Sequence, residues 1–185
     1  MKELSLNILD IAQNSLTAKA TLLKIILEEN NDFLRITIAD NGCGMDEQTV
    51  KNVVDPFYTT RKTRKVGLGI PFFKLASEQT GGSITLESTP ESLDAENHGT
   101  TISGVFYKTS IDFTPLGDII STVCTLVQSL DYTELVFTHS FPNGSVELDT
   151  AALKEVLGDV PLSTPDVLVW IKEYLSEQYE EVGKQ

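Results

Sequence analysis

Cysteine, histidine, tryptophan and positive charge are all scarce in this chain, and each scarcity removes a class of protein. The two cysteines, Cys43 and Cys124, share no CxxC spacing and have no histidine cluster beside them, which excludes a disulfide framework and a thiolate zinc site. Both are expected to be reduced and packed. No apolar run approaches the roughly 20 residues that a membrane helix requires, so no membrane association is expected. The opening Met1-Lys2-Glu3-Leu4 passes directly into helix-patterned sequence without a charged-then-apolar leader. A secretory signal is not expected, and the cytoplasm is the expected compartment.

What is abundant is negative charge. Fourteen Lys and Arg face 27 Asp and Glu, a net charge of −13. Residues 1–107 hold 10 basic and 14 acidic side chains, a balance of −4; residues 108–185 hold 4 and 13, a balance of −9. Such a field repels phosphate backbones, so nucleic acid is disfavoured as the main partner. Against it, Arg61, Lys62, Arg64 and Lys65 crowd into five positions, and a local cationic loop calls for a local anion. The 185 residues, 41% of them apolar, suffice for one compact domain, or for a core of about 100 residues with an appendage.

Apolar spacing predicts a long helix over residues 2–20, with Leu4, Ile8, Ile11, Ser15 and Ala18 on one stripe. Asp10 and Asn14 lie one turn apart on it and project to the same side of an otherwise apolar element. Residues 21–28 and 33–39 read as a hairpin. The second strand runs into Asp40-Asn41-Gly42-Cys43-Gly44-Met45, whose two glycines allow close backbone approach. A short acidic-led helix over 46–54 follows. Pro71, tolerated only in a first turn, places the start of the next helix near Gly69 or Ile70, and Gly81-Gly82 ends it. Strands are expected over 83–88 and 100–107. After Lys108 the pattern predicts a helix over 115–129, a strand pair over 135–139 and 145–148, helices over 150–157 and 165–179, and fraying of the last six residues.

Taken singly, these features are ordinary. An Asp-x3-Asn on a helix is commonly a solvated face, and Asn-Gly-x-Gly is commonly a turn. In sequence they suit a nucleotide. A glycine-opened helix N-terminus offers free N–H groups to polyphosphate, and flanking Arg and Lys add counter-charge. An Asn oxygen can complete the shell of a phosphate-bound Mg²⁺, and a carboxylate one turn away can orient or deprotonate a water or hydroxyl.

The residues resemble five motifs of the GHKL ATPase superfamily, the histidine-kinase-like ATPases. Asp10-Ile11-Ala12-Gln13-Asn14-Ser15 resembles its N box, Asp40 to Met45 its first glycine box, and Asp55-Pro56-Phe57-Tyr58-Thr59-Thr60 its F box. Gly67-Leu68-Gly69 and Gly99-Thr100-Thr101 resemble its second and third glycine boxes. The superfamily includes DNA gyrase B subunits, the heat-shock chaperone of ninety kilodaltons, histidine kinases and mismatch-repair ATPases.

The resemblance implies an α/β two-layer sandwich for residues 1–107, with a mixed sheet, helices on one face and ATP between helices and lid. Residues 108–185 match no shared motif. They are expected to form a small α/β extension that covers part of the sheet or acts as a docking module. Asp40 is similar to the aspartate that accepts the adenine amino hydrogen, supported by Thr100, with Gly42, Gly44 and Met45 in the loop along the ring. Asn14 is similar to the Mg²⁺-binding asparagine, and Asp10 stands where hydrolysing members carry a general-base glutamate. Gly67, Leu68 and Gly69 match the phosphate cradle; Phe57, Thr59, Thr60, Arg61, Lys62 and Lys65 form the leading edge of the lid.

Two departures matter. Lys65 replaces a further glycine, so the lid is expected to be stiffer or to use Lys65 on the phosphates directly. Asp10 is one methylene shorter than Glu, so ATP binding is expected to survive better than hydrolysis. The only histidines, His98 and His139, fall in a loop and a strand, so self-contained autokinase activity is not expected. The resemblance implies ATP and Mg²⁺ as cofactors and a regulatory protein as partner, controlled by a kinase acting in trans or by a nucleotide-gated binding switch. A DNA-processing ATPase of the mismatch-repair and gyrase branch is the alternative, and a homodimer stays open.

Overall fold

The computed structural model describes residues 3–55 and 68–183. Helix α1 (Leu4–Thr17) leads into strands β1 (Leu22–Glu29) and β2 (Phe33–Asp40) and a short helix α2 (Glu47–Asn52). Helix α3 (Gly69–Gln79) and strands β3 (Ile84–Thr89) and β4 (Gly99–Tyr107) follow. The remainder is α4 (Ile119–Ser129), β5 (Glu134–Phe141), β6 (Gly144–Asp149), α5 (Thr150–Leu157) and α6 (Pro165–Gly183). No helix among the described residues is long and apolar enough to cross a membrane.

The strands form one six-stranded sheet in the order β3-β4-β2-β1-β5-β6. All neighbours are antiparallel except β1 and β5, which run parallel, so the sheet is mixed. Alternation decides its faces. Leu23, Ile25 and Leu27 of β1 lie in register with Ile38 and Ile36 of β2 and with Leu135 and Phe137 of β5, all buried under the helical layer. Polar side chains such as Lys24, Glu28, Arg35, Thr37 and Ser103 occupy the opposite face. The expected two-layer α/β architecture is therefore present.

Helix α1 packs beneath both halves of the chain. Its buried stripe, Leu4, Ile8, Ile11 and Ala12, belongs to the main core, and it touches α3 on one side and α4 on the other. Phe73 of α3 meets Phe106 of β4 edge-on at 5.1 Å, a geometry that favours the positive ring edge against a ring face. Gly104 makes room for that pair, since a Cβ there would stand 2.7 Å from Phe73.

The residues after 107 extend the sheet. β5 pairs with β1 along its length, from Leu22–Glu134 to Glu28–Ser140. α6 covers the outer edge: the Gln178 side chain accepts from the Glu147 N–H and donates to the Glu147 carbonyl, standing in for a further strand. At the end of the sheet where β1 turns into β2, buried His139 bonds Glu29 through Nε2 and the Tyr179 hydroxyl through Nδ1, while Lys108 also holds Glu29.

Two local expectations need correction. α4 begins at Ile119, because Pro115–Asp118 contains Gly117 at φ +79° and Asp118 caps the helix through Ser121. The Pro115 and Leu116 carbonyls instead accept from Leu4 and Ser5, tying the connector to the start of α1. α6 continues through residues 180–183, where fraying was expected, and the Val182 carbonyl there accepts from Asn143.

Candidate functional site

A cavity of ≈ 610 Å³ opens between α1, the end of β2, α2, β4 and the loop after β3. Antiparallel pairing of β2 with β4 puts Asp40 directly opposite Thr100 on the helix-facing side of the sheet, at the end of the sheet next to α1's C-terminal turns. Both line the cavity, as do Asn14, Gly44 and Met45. Five of the residues expected to hold a nucleotide are thus brought together from segments up to 86 positions apart.

Asp40 is held on both oxygens. Ser15 donates its hydroxyl to Oδ2 at 2.6 Å, and the Gly42 N–H donates to Oδ1 at 2.8 Å. The carboxylate is therefore oriented before any ligand arrives, with further lone pairs available on each oxygen. Thr100 is tied to Ser88, hydroxyl to hydroxyl at 2.8 Å, and Ser88 accepts from the Met45 N–H at 2.8 Å. One serine thereby joins β3, β4 and the glycine loop.

The loop's shape depends on Gly44. Its φ of +67° lies in the left-handed region, and a Cβ would come within 2.0 Å of the Thr89 carbonyl oxygen. Gly42 sits against Ala18, so any side chain would push the loop off the end of α1. The Gly42 carbonyl contacts His98 Nδ1 at 2.5 Å, which pins the 89–99 loop over this turn. Cys43, expected to be packed, is instead exposed on the cavity wall, in the loop between Gly42 and the left-handed Gly44. Cys124 is half-buried on α4, and burial pushes its thiol above the ordinary range.

Asp10 lies one turn before Asn14, as expected, with its tip exposed and its carboxyl held above the usual aspartate range by desolvation. Gly69 explains its setting: a Cβ on that glycine would stand 2.9 Å from Asp10 Cβ, so the start of α3 lies directly against α1. The N-cap residue Leu68 makes no side-chain cap bond to the first N–H groups of α3 at this junction. Leu68 occupies the N-cap position, and Gly69 is buried. Asp10, Gly42, Leu68 and Gly69 support the cavity without lining it. Phe57, Thr59, Thr60, Arg61, Lys62, Lys65 and Gly67 lie outside the described residues.

Ser15 on the cavity wall, and Ser88 and His98 behind it, brace the candidate site and were missed by the sequence reasoning. For Ser15 a signal existed, since a hydroxyl at a core-stripe position of α1 must find a buried partner. Ser88 and His98 carried none, because their roles arise from strand register and loop return.

Among the described residues no cluster of three His, Cys, Asp or Glu side chains could hold a metal. Asn14, a hard oxygen donor on the cavity wall, fits a Mg²⁺ that arrives with phosphate and keeps most of its water shell.

Comparison with known proteins gives the family. Residues 1–110 match the family described as "Histidine kinase-, DNA gyrase B-, and HSP90-like ATPase". The signal transduction histidine-protein kinase AtoS of Escherichia coli is 32% identical over 90 residues, covering 49% of this chain and 15% of that protein. Sporulation kinase E of Bacillus subtilis is 33% identical over 88 residues, covering 48% of this chain and 12% of that protein. The match therefore spans under a fifth of these curated relatives' own length. Among solved structures, the N-terminal domain of a DNA repair protein superposes with a TM-score of 0.51 at 14% identity, over 80% of this chain and 52% of that one, a likeness of fold. With the matched segment covering more than half of its residues, the chain belongs to the histidine kinase-, DNA gyrase B- and HSP90-like ATPase family.

Proposed function

We propose that this chain binds Mg-ATP in the α1–β2–β4 cavity and uses the bound nucleotide to control a partner protein. The observation that carries the reading is the Asp40 carboxylate, pre-oriented by Ser15 and Gly42 beside Thr100 on the cavity wall. A carboxylate is an acceptor only, so it selects a base edge that donates, as the adenine amino group does. Asn14 is the side chain that would hold Mg²⁺, whose chemistry is to neutralise charge on the phosphates.

Asp10 completes the reading. Its raised pKa suits a group that takes a proton from a water or hydroxyl near the terminal phosphate, and its short side chain favours slow turnover. The start of α3 and the basic residues 61–65 are the expected phosphate contacts. The identity to histidine kinases favours phosphoryl transfer in trans or a nucleotide-gated switch over DNA processing, and the −13 net charge points the same way.

Isothermal titration with ATP and magnesium tests the reading. Wild type is expected to bind saturably, and Asn14→Ala to weaken Mg-ATP while leaving metal-free ATP nearly unchanged. Absence of heat and of thermal protection in wild type would overturn it. Incubation with labelled ATP and a co-purifying protein then separates transfer from switching, and DNA-stimulated phosphate release would revive the repair-like alternative.

A further inference from the structure

Helix α6 lies beyond the family match, which ends at residue 110, and it carries aromatic surface that the core does not use. Val167, Ile171 and Leu175 point into the core. On the neighbouring flank, Trp170 and Tyr174 lie one turn apart with their rings stacked at 5.0 Å and 10°. They remain 46% and 38% exposed, and adjacent Val169 is 57% exposed. Two large aromatics that stack on each other in solvent present broad ring faces to whatever approaches.

Their surroundings are acidic. Asp166, Glu173 and Glu177 fall at spacings of three and four from the pair, all are exposed, and none joins an ion pair among the described residues. Residues 108–185 carry 13 acidic and 4 basic side chains. Ring faces attract cations, indole most strongly, and flanking carboxylates add Coulomb attraction in the same place. A second copy of this chain would bring the same negative field and be repelled.

We propose that the Trp170–Tyr174 flank of α6 is a docking surface for an arginine- or lysine-rich segment of a partner protein, with cationic side chains laid on the rings and paired with Asp166, Glu173 and Glu177. The surface names the chemistry of the partner in the regulatory reading and rests on that reading for its purpose alone. Its test needs no nucleotide, so failure here leaves ATP binding standing, and failure of ATP binding leaves this surface standing.

Trp170 is the only tryptophan of the chain, so its fluorescence reports the site directly. The full chain is titrated with a synthetic arginine-rich amphipathic peptide and with the same peptide carrying glutamate at each arginine, and affinities are repeated by calorimetry. A saturable spectral change is expected with the arginine peptide only, weakening as salt rises. Tyr174→Ala and the double variant Glu173→Gln/Glu177→Gln should each reduce affinity about three- to tenfold. Glu87→Gln, on β3 at the far edge of the sheet, should leave it unchanged.

No spectral change, an equal response to the glutamate peptide, or an equal loss in Glu87→Gln would each overturn the proposal. So would sedimentation showing that the pair holds two copies of the chain together. Thermal melts of each variant confirm that the exposed substitutions leave the fold intact.

Discussion

Replacing Asp40 by Asn changes one atom's chemistry and almost nothing of its shape. In the wild type, Oδ1 accepts from the Gly42 N–H and Oδ2 from the Ser15 hydroxyl. Asparagine keeps the first bond with its carbonyl oxygen, and its amide can donate to a Ser15 hydroxyl that rotates, so folding stability should change by less than about 1 kcal/mol. Toward adenine the effect is large. The amino group of the base would face another donor instead of a charged acceptor, a loss of about 1–3 kcal/mol, or about 5-fold to about 150-fold in Kd. Inosine triphosphate supplies the control, because its base presents a carbonyl where adenine has the amino group. Wild type should prefer ATP over ITP, and the Asn variant should narrow or reverse that preference. Titration calorimetry of both nucleotides reads the ratio, with a thermal melt beside it. An unchanged ATP affinity, or an equal loss for both nucleotides in a protein that melts like wild type, would refute the assignment of Asp40 to the base.

Other positions give independent readings. Asp10→Asn should raise the thermal midpoint at neutral pH: burial lifts the Asp10 pKa above 3.8, so its contribution to stability falls as pH rises through that range, and the amide removes the effect. Phosphate release by the same variant should drop by on the order of 10²- to 10⁴-fold, and an unchanged rate would exclude Asp10 as the base. Glu29 has the opposite sign. His139, then Lys108, holds its pKa below 4.5, so the stability it contributes is present above about pH 4.5 and is lost as pH falls through and below that value. Glu29→Gln should cost about 1–3 kcal/mol at neutral pH and flatten the acid limb of the stability curve, checked by urea unfolding from pH 7 to pH 3. Gly44→Ala must shift the loop away from the Thr89 carbonyl and adopt an unfavourable positive φ, costing about 1–3 kcal/mol and at least tenfold in ATP affinity. Wild-type binding by that variant would show that the loop does not touch the ligand.

The candidate site was legible in the sequence where chemistry and spacing coincide. Asp10 and Asn14 share a face because a helix repeats every 3.6 residues, and Gly69 marks the start of α3 because Pro71 can sit only in a first turn. Contacts that arise from register were not legible. Nothing in the one-dimensional string says that Asp40 will stand opposite Thr100, or that Ser88 will bond both Thr100 and the Met45 amide. The family resemblance supplied the first pairing, and only the folded sheet supplies the second. Ser15 lies between these cases: its place in an apolar stripe demanded a partner without naming Asp40.

The junction between the two halves of the chain shows why local pattern stops short of architecture. Each predicted strand after Lys108 was sound as a strand, yet alternation is equally satisfied by an edge, a second sheet or a separate hairpin. What decides the matter is the unpaired side of β1. Leu23, Ile25 and Leu27 continue one buried row that needs neighbours on both sides, and Leu135, Phe137 and His139 of β5 complete it in register. His139 is the telling member. A histidine in that row must have polar partners, and it finds Glu29 at the end of β1 and Tyr179 on α6. Burial also pushes the Tyr179 hydroxyl well above its ordinary pKa, so it keeps its proton and stays a neutral hydrogen-bonding partner at Nδ1, while Nε2 meets Glu29. Each partner comes from a different segment, and the bond geometry is satisfied only when β5 lies beside β1 with α6 above it. Buried polar pairing therefore fixes a register that hydrophobicity alone would have left free to slip.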